Sequence, residues 1–228
     1  MHNFIKCTFV FLICFVISSC VKGDKTSYEI KNIEQETESY AINGENIIID
    51  GETDGIAKLN SETEAQTNEW IRDFESKVNS LSKKGDTPPC LQIRQMVKLD
   101  GENVFSFVTE KYAYVSGLHG NSWWSSKTYD KRMDKTLILS EIFTDSDYKK
   151  ILNERINELI RNNPDEYNDL WEEPCVTSEE NFYFDKDNLV IFFEPYDLSY
   201  YARGVVVFPI PIEKIRGYIK EEYLTCNL

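Results

Sequence analysis

The sequence predicts an α+β fold, with a mainly antiparallel sheet in two lobes and about three helices packed on it. Three observations lead to this class. Runs of β-branched and aromatic residues are joined by short links, helical periodicity is confined to a few segments, and strands and helices occur in groups. Such grouping is typical of α+β folds and differs from a βαβ alternation.

The first nineteen residues have the three parts of a secretory signal peptide. A short start carries Lys6, an apolar run extends from Phe9 to Ile17, and the small residues Ser18 and Ser19 follow. The run is shorter than the roughly 20 apolar residues that a transmembrane helix needs. We therefore predict a signal peptide over residues 1–19, with no membrane-spanning segment elsewhere in the chain.

The residues Ile17-Ser18-Ser19-Cys20 fit the processing box of a bacterial lipoprotein, in which the cysteine thiol takes the diacylglycerol. The alternative is a simple secretory signal in which Cys20 is incidental. Lipidation predicts an exported protein anchored at the bacterial cell membrane or outer membrane and facing away from the cytoplasm. Residues 20–26 would then be a short lipidated tether.

We expect an N-terminal α+β lobe over residues 27–130. It opens with strands at Tyr28–Thr37 and Glu45–Gly51, joined by a turn at Asn43-Gly44. A helix is predicted from Ser61, because Ser61 and Glu64 form a capping-box pair. The apolar face of that helix has three- and four-residue spacing and consists of Ile71, Phe74, Val78 and Leu81.

Three further strands complete this lobe as an antiparallel meander. They are predicted at Leu91–Leu99, Val104–Val115 and Trp123–Tyr129, with a turn at Asp100-Gly101 and a loop at 117–120.

A C-terminal lobe is expected over residues 131–228. Its helix runs from Asp147 to about Arg161 and is followed by an irregular acidic connection over 165–180. A closing helix is predicted over Glu213–Glu222. The strands of this lobe are predicted at Asn181–Phe184, Leu189–Phe193 and Gly204–Phe208.

The charge of the chain limits its partners. Removal of the signal leaves 24 basic residues against 39 acidic ones, a net charge of −15. Nucleic acid is excluded as a partner, because a phosphate backbone needs a basic surface. The charge would attract a protein with a strongly positive face, or it serves only to keep an exported domain soluble.

Three cysteines follow Cys20, and an exported chain can oxidise them. One disulfide and one free thiol are expected, with three possible pairings. The three residues are Cys90, Cys175 and Cys226.

The residue types offer little for catalysis. His119 is the only histidine after the signal, which excludes the usual two-histidine metal sites, and no Gly-x-Ser-x-Gly elbow accompanies it. We therefore expect no enzymatic activity, no catalytic residue, no metal and no cofactor. His119 is interpreted as a structural residue or as part of a binding loop.

Aromatic residues are concentrated near the end of the chain. Tyr196, Tyr200 and Tyr201 follow the strand that ends at Phe193, and tyrosines at a strand exit offer both apolar area and a hydroxyl group. Together with His119 they are the candidate binding residues. The alternative is core packing or a rigid corner.

Several short motifs occur in an order that resembles the domain-of-unknown-function 3298 (DUF3298) family, which includes the extracytoplasmic part of RsiV-type anti-sigma factors. The stretch from Tyr28 to Tyr129 is similar to the module that often precedes this domain, also in front of a polysaccharide deacetylase domain. One departure is Lys135, where the family usually has Gly, so a different turn is expected there. The motifs are Gly117-Leu118-His119-Gly120, Tyr129-Asp130, Leu137-Ile138-Leu139-Ser140-Glu141-Ile142-Phe143, Asn181-Phe182-Tyr183-Phe184, Phe192-Phe193-Glu194-Pro195-Tyr196 and Tyr201-Ala202-Arg203-Gly204.

This resemblance implies an enzyme-free binding domain on a lipid tether. Its best understood relative binds lysozyme, and the net charge would suit such a cationic hydrolase. The expected function is that of a cell-envelope lipoprotein that senses, sequesters or inhibits a basic protein such as lysozyme. The alternative is a module that binds peptidoglycan or another glycan during cell-wall modification.

Overall fold

A computed structural model describes residues 25–81, 87–177 and 180–224. The predicted signal peptide, Cys20 and Cys226 lie outside these residues. Within them, the helices are α1 (Asp54–Asn79), α2 (Tyr148–Asn162), α3 (Ile212–Ile215) and α4 (Glu221–Leu224). The strands are β1 (Tyr28–Glu36), β2 (Ala41–Ile49), β3 (Cys90–Asp100), β4 (Val104–Tyr114), β5 (Asn121–Asp130), β6 (Lys135–Thr136), β7 (Asn181–Phe184), β8 (Asn188–Phe193) and β9 (Val206–Pro211).

The strands form two sheets. The first has six strands in the order β1 to β6, and the second has three in the order β7-β8-β9. All pairs are antiparallel except β2 with β3, which are parallel because the long helix α1 connects them. The predicted α+β class and the antiparallel meander β3-β4-β5 are confirmed.

Side chains that alternate along β4 define the layers of the molecule. Phe105 and Phe107 are buried with Leu59 of α1 on one face of the six-stranded sheet. Val108 points to the other face, where it packs against Tyr183 and Phe192 of the second sheet. Helix α2 covers the far side of that second sheet, so the order of layers is helix, sheet, sheet, helix.

The opening hairpin forms, but its turn was predicted in the wrong place. The chain reverses at Thr37–Tyr40, where the Thr37 hydroxyl oxygen accepts hydrogen bonds from the backbone N–H groups of Ser39 and Tyr40. Gly44 instead lies inside β2, between Ile33 and Ile93 of the neighbouring strands. A Cβ at Gly44 would lie 3.3 Å from the Ile33 Cβ, so the glycine serves close strand packing.

Helix α1 begins two turns before the predicted start at Ser61. Its N-cap is Thr53, whose hydroxyl oxygen accepts from the Ile56 N–H at 3.3 Å. The N–H of Gly55 donates to a carboxylate oxygen of Asp134, 2.9 Å away. Ser61 is exposed in the helix interior, so the Ser61–Glu64 capping box predicted from the local pattern was wrong.

The closing helix was also predicted wrongly. Residues 213–222 divide into the short helices α3 and α4, because the backbone between them bonds to the segment before α2. The Thr144 N–H donates to the Tyr218 carbonyl at 2.9 Å, and the Lys220 N–H donates to the Ile142 carbonyl at 3.0 Å. These long-range bonds replace the ones that a continuous helix would make.

Strand β9 continues past the expected end at Phe208. It reaches Pro211 because β9 is an edge strand, where Pro209 needs no ladder partner for its nitrogen. The helix predicted from Asp147 is confirmed, with Asp147 as the N-cap of α2.

Cys90 and Cys175 are free thiols, so the expected disulfide is not formed between these two. Within the described ranges, no helix combines the length and hydropathy required to cross a membrane.

Candidate functional site

Two loops bring most of the predicted binding residues together. His119 lies in the loop between β4 and β5, and Tyr196 and Tyr201 lie between β8 and β9. The ring of His119 stacks on Tyr201, with centroids 4.9 Å apart and planes 18° apart. The ring of Tyr196 also contacts Tyr201, with the two centroids 5.6 Å apart. Three aromatic rings from two loops thus form one stack.

Tyr201 is the central member of this stack because its hydroxyl group ties the two loops together. It donates a hydrogen bond to the Gly120 carbonyl at 2.6 Å and accepts one from the Ser122 N–H at 2.9 Å. Gly120 lies against Tyr112, and an added Cβ would be 2.5 Å from the tyrosine ring. The glycine of the Gly117–Gly120 loop therefore allows the close approach on which this contact depends.

Tyr196 presents its ring to solvent from an unusual backbone position. Its φ is 78°, in the left-handed region that non-glycine residues seldom adopt, and its relative exposure is 62%. The turn that holds it is fixed by two hydrogen bonds between Glu194 and Asp197, one from each backbone N–H. Its left-handed backbone and exposed ring keep Tyr196 a candidate binding residue and set it apart from the core.

The backbone at Trp171, in the acidic connection after α2, is held against the loop that carries Tyr196 and Tyr201. The backbone N–H of Trp171 donates to the Leu198 carbonyl at 3.0 Å, and the Ser199 hydroxyl donates to the Asp169 carbonyl at 2.9 Å. Trp171 is 52% exposed and Tyr200 is 49% exposed. Tyr200 lies in the same loop, next to Tyr201, and is therefore counted with this surface. Its ring is not part of the stack among the described ring contacts.

We call this surface the aromatic corner and define it as His119, Trp171, Tyr196, Tyr200 and Tyr201. The sequence predicted four of these residues and missed Trp171, because the backbone bonds to residues 198 and 199 are long-range contacts. The clue in the sequence was a tryptophan between acidic residues in a segment without helical or strand periodicity.

The chain around the aromatic corner is strongly acidic. Five acidic residues occur in 165–173 and two in 194–203, against a single basic residue, Arg203. Arg203 is engaged locally, since its Nε is 3.5 Å from Asp169 Oδ1 and its Nη2 donates to the Glu166 carbonyl. Exposed aromatic rings with an acidic surround suit a positively charged protein surface.

Glu194 lies half-buried beneath the corner. Both of its carboxylate oxygens are 3.1 Å from the Trp124 backbone nitrogen, whose N–H they accept. Burial raises the pKa of Glu194 to about 7, while the bond from Trp124 opposes this rise and Asp197 adds to it. The carboxyl group therefore changes charge near neutral pH.

A second concave feature lies between α1 and the six-stranded sheet. This cleft has a volume of about 230 Å³, and Trp70, Lys111, His119 and Trp123 are among the residues that line it. Lys111 and Trp123 face each other across β4 and β5. Sequence reasoning missed the cleft, although the alternation in these two strands placed both residues on the same face as Phe107.

The Tyr129-Asp130 motif has a structural role. The Tyr129 hydroxyl donates to Asp134, and burial together with this bond raises the pKa of Tyr129 to about 12. Asp130 is fully buried and accepts the Tyr223 hydroxyl at 2.8 Å. Asp134 has a left-handed φ of 53°, so the turn before Lys135 is formed without glycine.

The part of the chain that the structure describes contains no cluster of three or more His, Cys, Asp or Glu side chains that could hold a metal ion.

Comparison with known proteins relates this architecture to one family. The family model described as "Protein of unknown function (DUF3298)" matches residues 140–213. No curated protein matches the chain in sequence.

Two solved structures are similar in fold. A member of the DUF3298 family from Bacteroides fragilis is 18% identical, with a TM-score of 0.63, over 90% of this chain and 98% of that one. A DUF3298 family protein from Pseudomonas aeruginosa is 14% identical, with a TM-score of 0.63, over 86% of this chain and 94% of that one. The DUF3298 family model thus matches residues 140–213, and the chain shares its fold with two solved proteins of that family.

Proposed function

We propose that the protein is a non-enzymatic cell-envelope lipoprotein whose aromatic corner binds a cationic protein such as lysozyme, which it senses, sequesters or inhibits. The observation that carries the proposal is the combination of exposed rings at the corner with an acidic surround. Trp171, Tyr196 and Tyr200 each expose about half of their surface or more. Such rings are common anchors of protein interfaces, because they bury large area at low entropic cost.

The charge of the surround supports a basic partner. Residues 165–173 and 194–203 of the corner carry six acidic residues besides Glu194 and one arginine, so the local field favours encounter with a positive surface. The resemblance to the RsiV-type extracytoplasmic domain supports lysozyme as the first partner to test. The predicted lipid on Cys20 would hold this surface close to a membrane.

The geometry of His119 supports a binding role over a catalytic one. Its ring is stacked on Tyr201, and its Nδ1 lies 3.0 Å from the carbonyl of the adjacent Gly120. General-base catalysis needs a ring nitrogen within reach of a nucleophile or substrate proton. We therefore propose that His119 contributes apolar and polar contact to the corner.

Calorimetric titration of the soluble domain with lysozyme tests this function. We expect saturable binding that weakens between about 50 mM and about 300 mM salt, because the attraction between exposed charges is screened. Absence of binding at micromolar protein concentrations would refute lysozyme as the partner. Binding that is insensitive to salt would refute the role of the acidic surround.

A glycan is the second candidate ligand, favoured by the nearly parallel stack of His119 and Tyr201 beside the exposed Tyr196. Sugar rings present flat C–H faces to such aromatic side chains. This reading predicts that purified peptidoglycan sacculi retain the protein and that Tyr196→Ala weakens retention. If sacculi do not retain the wild-type protein, the glycan candidate is refuted.

A further inference from the structure

The cleft between α1 and the six-stranded sheet contains a lysine enclosed by aromatic rings. The Lys111 Nζ is 4.1 Å from the ring centroid of Trp123 and 5.1 Å from that of Trp70. Lys111 comes from β4, Trp123 from the facing position of β5 and Trp70 from α1. Three elements therefore converge on one ammonium group.

This ammonium group is half-buried without a carboxylate partner. Among the residues that the structure describes, no carboxylate oxygen lies within 4.0 Å of Lys111 Nζ. The nearby Asp73 pairs with Lys77 instead, at 2.8 Å. Burial lowers the pKa of Lys111, and nearby Lys77 adds to this effect. The carboxylates of Asp73, Glu194 and Glu69 offset it only in part.

The two tryptophan faces compensate part of the lost hydration of Lys111, since the negative face of an aromatic ring attracts a cation. The tryptophan rings do not, however, accept hydrogen bonds from the Lys111 N–H groups in the way a carboxylate would. The cleft lining contains two lysines and one aspartate, while Glu69 and Glu194 act on Lys111 from outside the lining. An anion entering the cleft would meet an incompletely paired cation.

We propose that this cleft binds a small sugar acid, with the carboxylate on the Lys111 ammonium group and the sugar ring against the exposed part of the Trp123 indole. Asn121 and Asp73 line the same cleft and would hydrogen bond to sugar hydroxyls. The volume of about 230 Å³ is below the roughly 300–1,000 Å³ of sites for drug-sized ligands, which favours a single sugar unit.

This site adjoins the aromatic corner at His119 but does not depend on the protein-binding function proposed above. Lys111 and Trp123 lie on the α1 face of the sheet, whereas Trp124 packs on the opposite face. Glu194 is close enough to Lys111 for their charges to interact. His119 is shared, because it lines the cleft and stacks on Tyr201. A variant at Lys111 therefore tests the cleft without removing a ring of the corner.

The test is an NMR titration with D-glucuronate, with D-glucose as the probe that lacks the carboxylate. The chain has four tryptophans, whose indole N–H signals report separately on the two faces. We expect the signals of Trp70 and Trp123 to shift with saturation, while those of Trp124 and Trp171 stay in place. D-Glucose should bind about tenfold more weakly or not at all, since it cannot form the charge-assisted bond.

Lys111→Met removes the charge and keeps an apolar stem, and it should weaken glucuronate binding by about tenfold or more. The matched control is Lys98→Met, because Lys98 also lies over aromatic rings, 5.5 Å from the Tyr183 centroid and 6.0 Å from that of Trp124, on the other face of the sheet. It should leave glucuronate affinity unchanged. Equal binding of the two sugars, or equal loss in both variants, would overturn the proposal.

A second variant covers the case in which Lys111→Met does not fold. Trp123→Leu removes the indole ring at a partly exposed position, and it should also abolish the glucuronate-induced shift of the Trp70 signal. A site with millimolar affinity would be largely occupied at about 20 mM glucuronate. If the wild-type protein shows no saturable shift up to that concentration, the site is refuted.

Discussion

Replacement of Gly55 by alanine is predicted to destabilise the fold, although alanine is the better helix former. Gly55 is the second residue of α1, and a Cβ there would overlap the backbone carbonyl of Asp134. To relieve this overlap, α1 or the Asp134 turn must shift. The shift would break the bond from the Gly55 N–H to Asp134, as well as the bonds that Thr53 and Tyr129 donate to the same carboxylate.

The magnitude follows from opposing terms. Alanine gains about 1 kcal/mol of helix propensity relative to glycine. Loss of the cap contacts costs about 1 kcal/mol, and overpacking costs about 1–3 kcal/mol. We expect a net loss of about 2 kcal/mol, which lowers the melting temperature of a chain of this size by about 4–8 °C.

Differential scanning calorimetry of Gly55→Ala and Gly217→Ala would measure this effect. Gly217 is the matched control, because no atom lies within 4 Å of its Cβ position, and its substitution should change stability by less than about 0.5 kcal/mol. A Gly55→Ala protein as stable as the wild type would refute the role given to the Asp134 contact.

Three further changes test other parts of the structure. The Glu194 pKa is raised to about 7, so the contribution of this group to stability is present below about pH 4.5 and is lost as pH rises through 7. Glu194→Gln should therefore reduce, by about 1 kcal/mol after allowance for solvent screening, the change in the free energy of unfolding between about pH 5 and pH 8, measured by urea denaturation. Tyr201→Phe removes the hydroxyl that accepts the Ser122 N–H, and this amide should exchange with deuterium about tenfold faster, whereas Tyr200→Phe should leave its rate unchanged. Labelled palmitate should be incorporated into the wild-type protein in bacterial cells, and equal incorporation into Cys20→Ala would contradict lipidation at that residue.

Local patterns were sufficient for most of the strands. The run from Val104 contains β-branched and aromatic residues with turn residues on either side, and the structure confirms a strand to Tyr114. The turns were less predictable. Asn43-Gly44 has the composition of a hairpin turn, yet Gly44 lies inside β2 because Ile33 and Ile93 approach it from both neighbouring strands.

The ends of the helices depended on partners that are far away in sequence. The beginning of α1 is fixed by Asp134, 79 residues after Gly55. The closing helix is interrupted because Tyr218 and Lys220 bond to the segment before α2. The residues within either segment do not reveal these contacts. A prediction from local sequence therefore places the helix ends according to neighbouring residues alone.

The candidate site was predictable only where unusual residues drew attention. A solitary histidine and a dense group of tyrosines identified His119, Tyr196, Tyr200 and Tyr201. Trp171 and the Lys111 cleft were missed, because Trp70, Lys111 and Trp123 meet only after α1 packs on the sheet. The raised pKa of Glu194 likewise results from burial under the corner, which composition cannot show.

Calorimetric titration of lysozyme into the wild type and into a Trp171→Ala, Tyr196→Ala double variant tests the central claim most directly. We predict that the double variant weakens binding by about 2 kcal/mol or more, since each ring would act as an interface anchor. Ile30→Ala is the control, an exposed apolar residue on β1 at the opposite edge of the six-stranded sheet, and it should bind as the wild type does. Unchanged affinity in the double variant, or equal loss in Ile30→Ala, would contradict the aromatic corner as the binding surface.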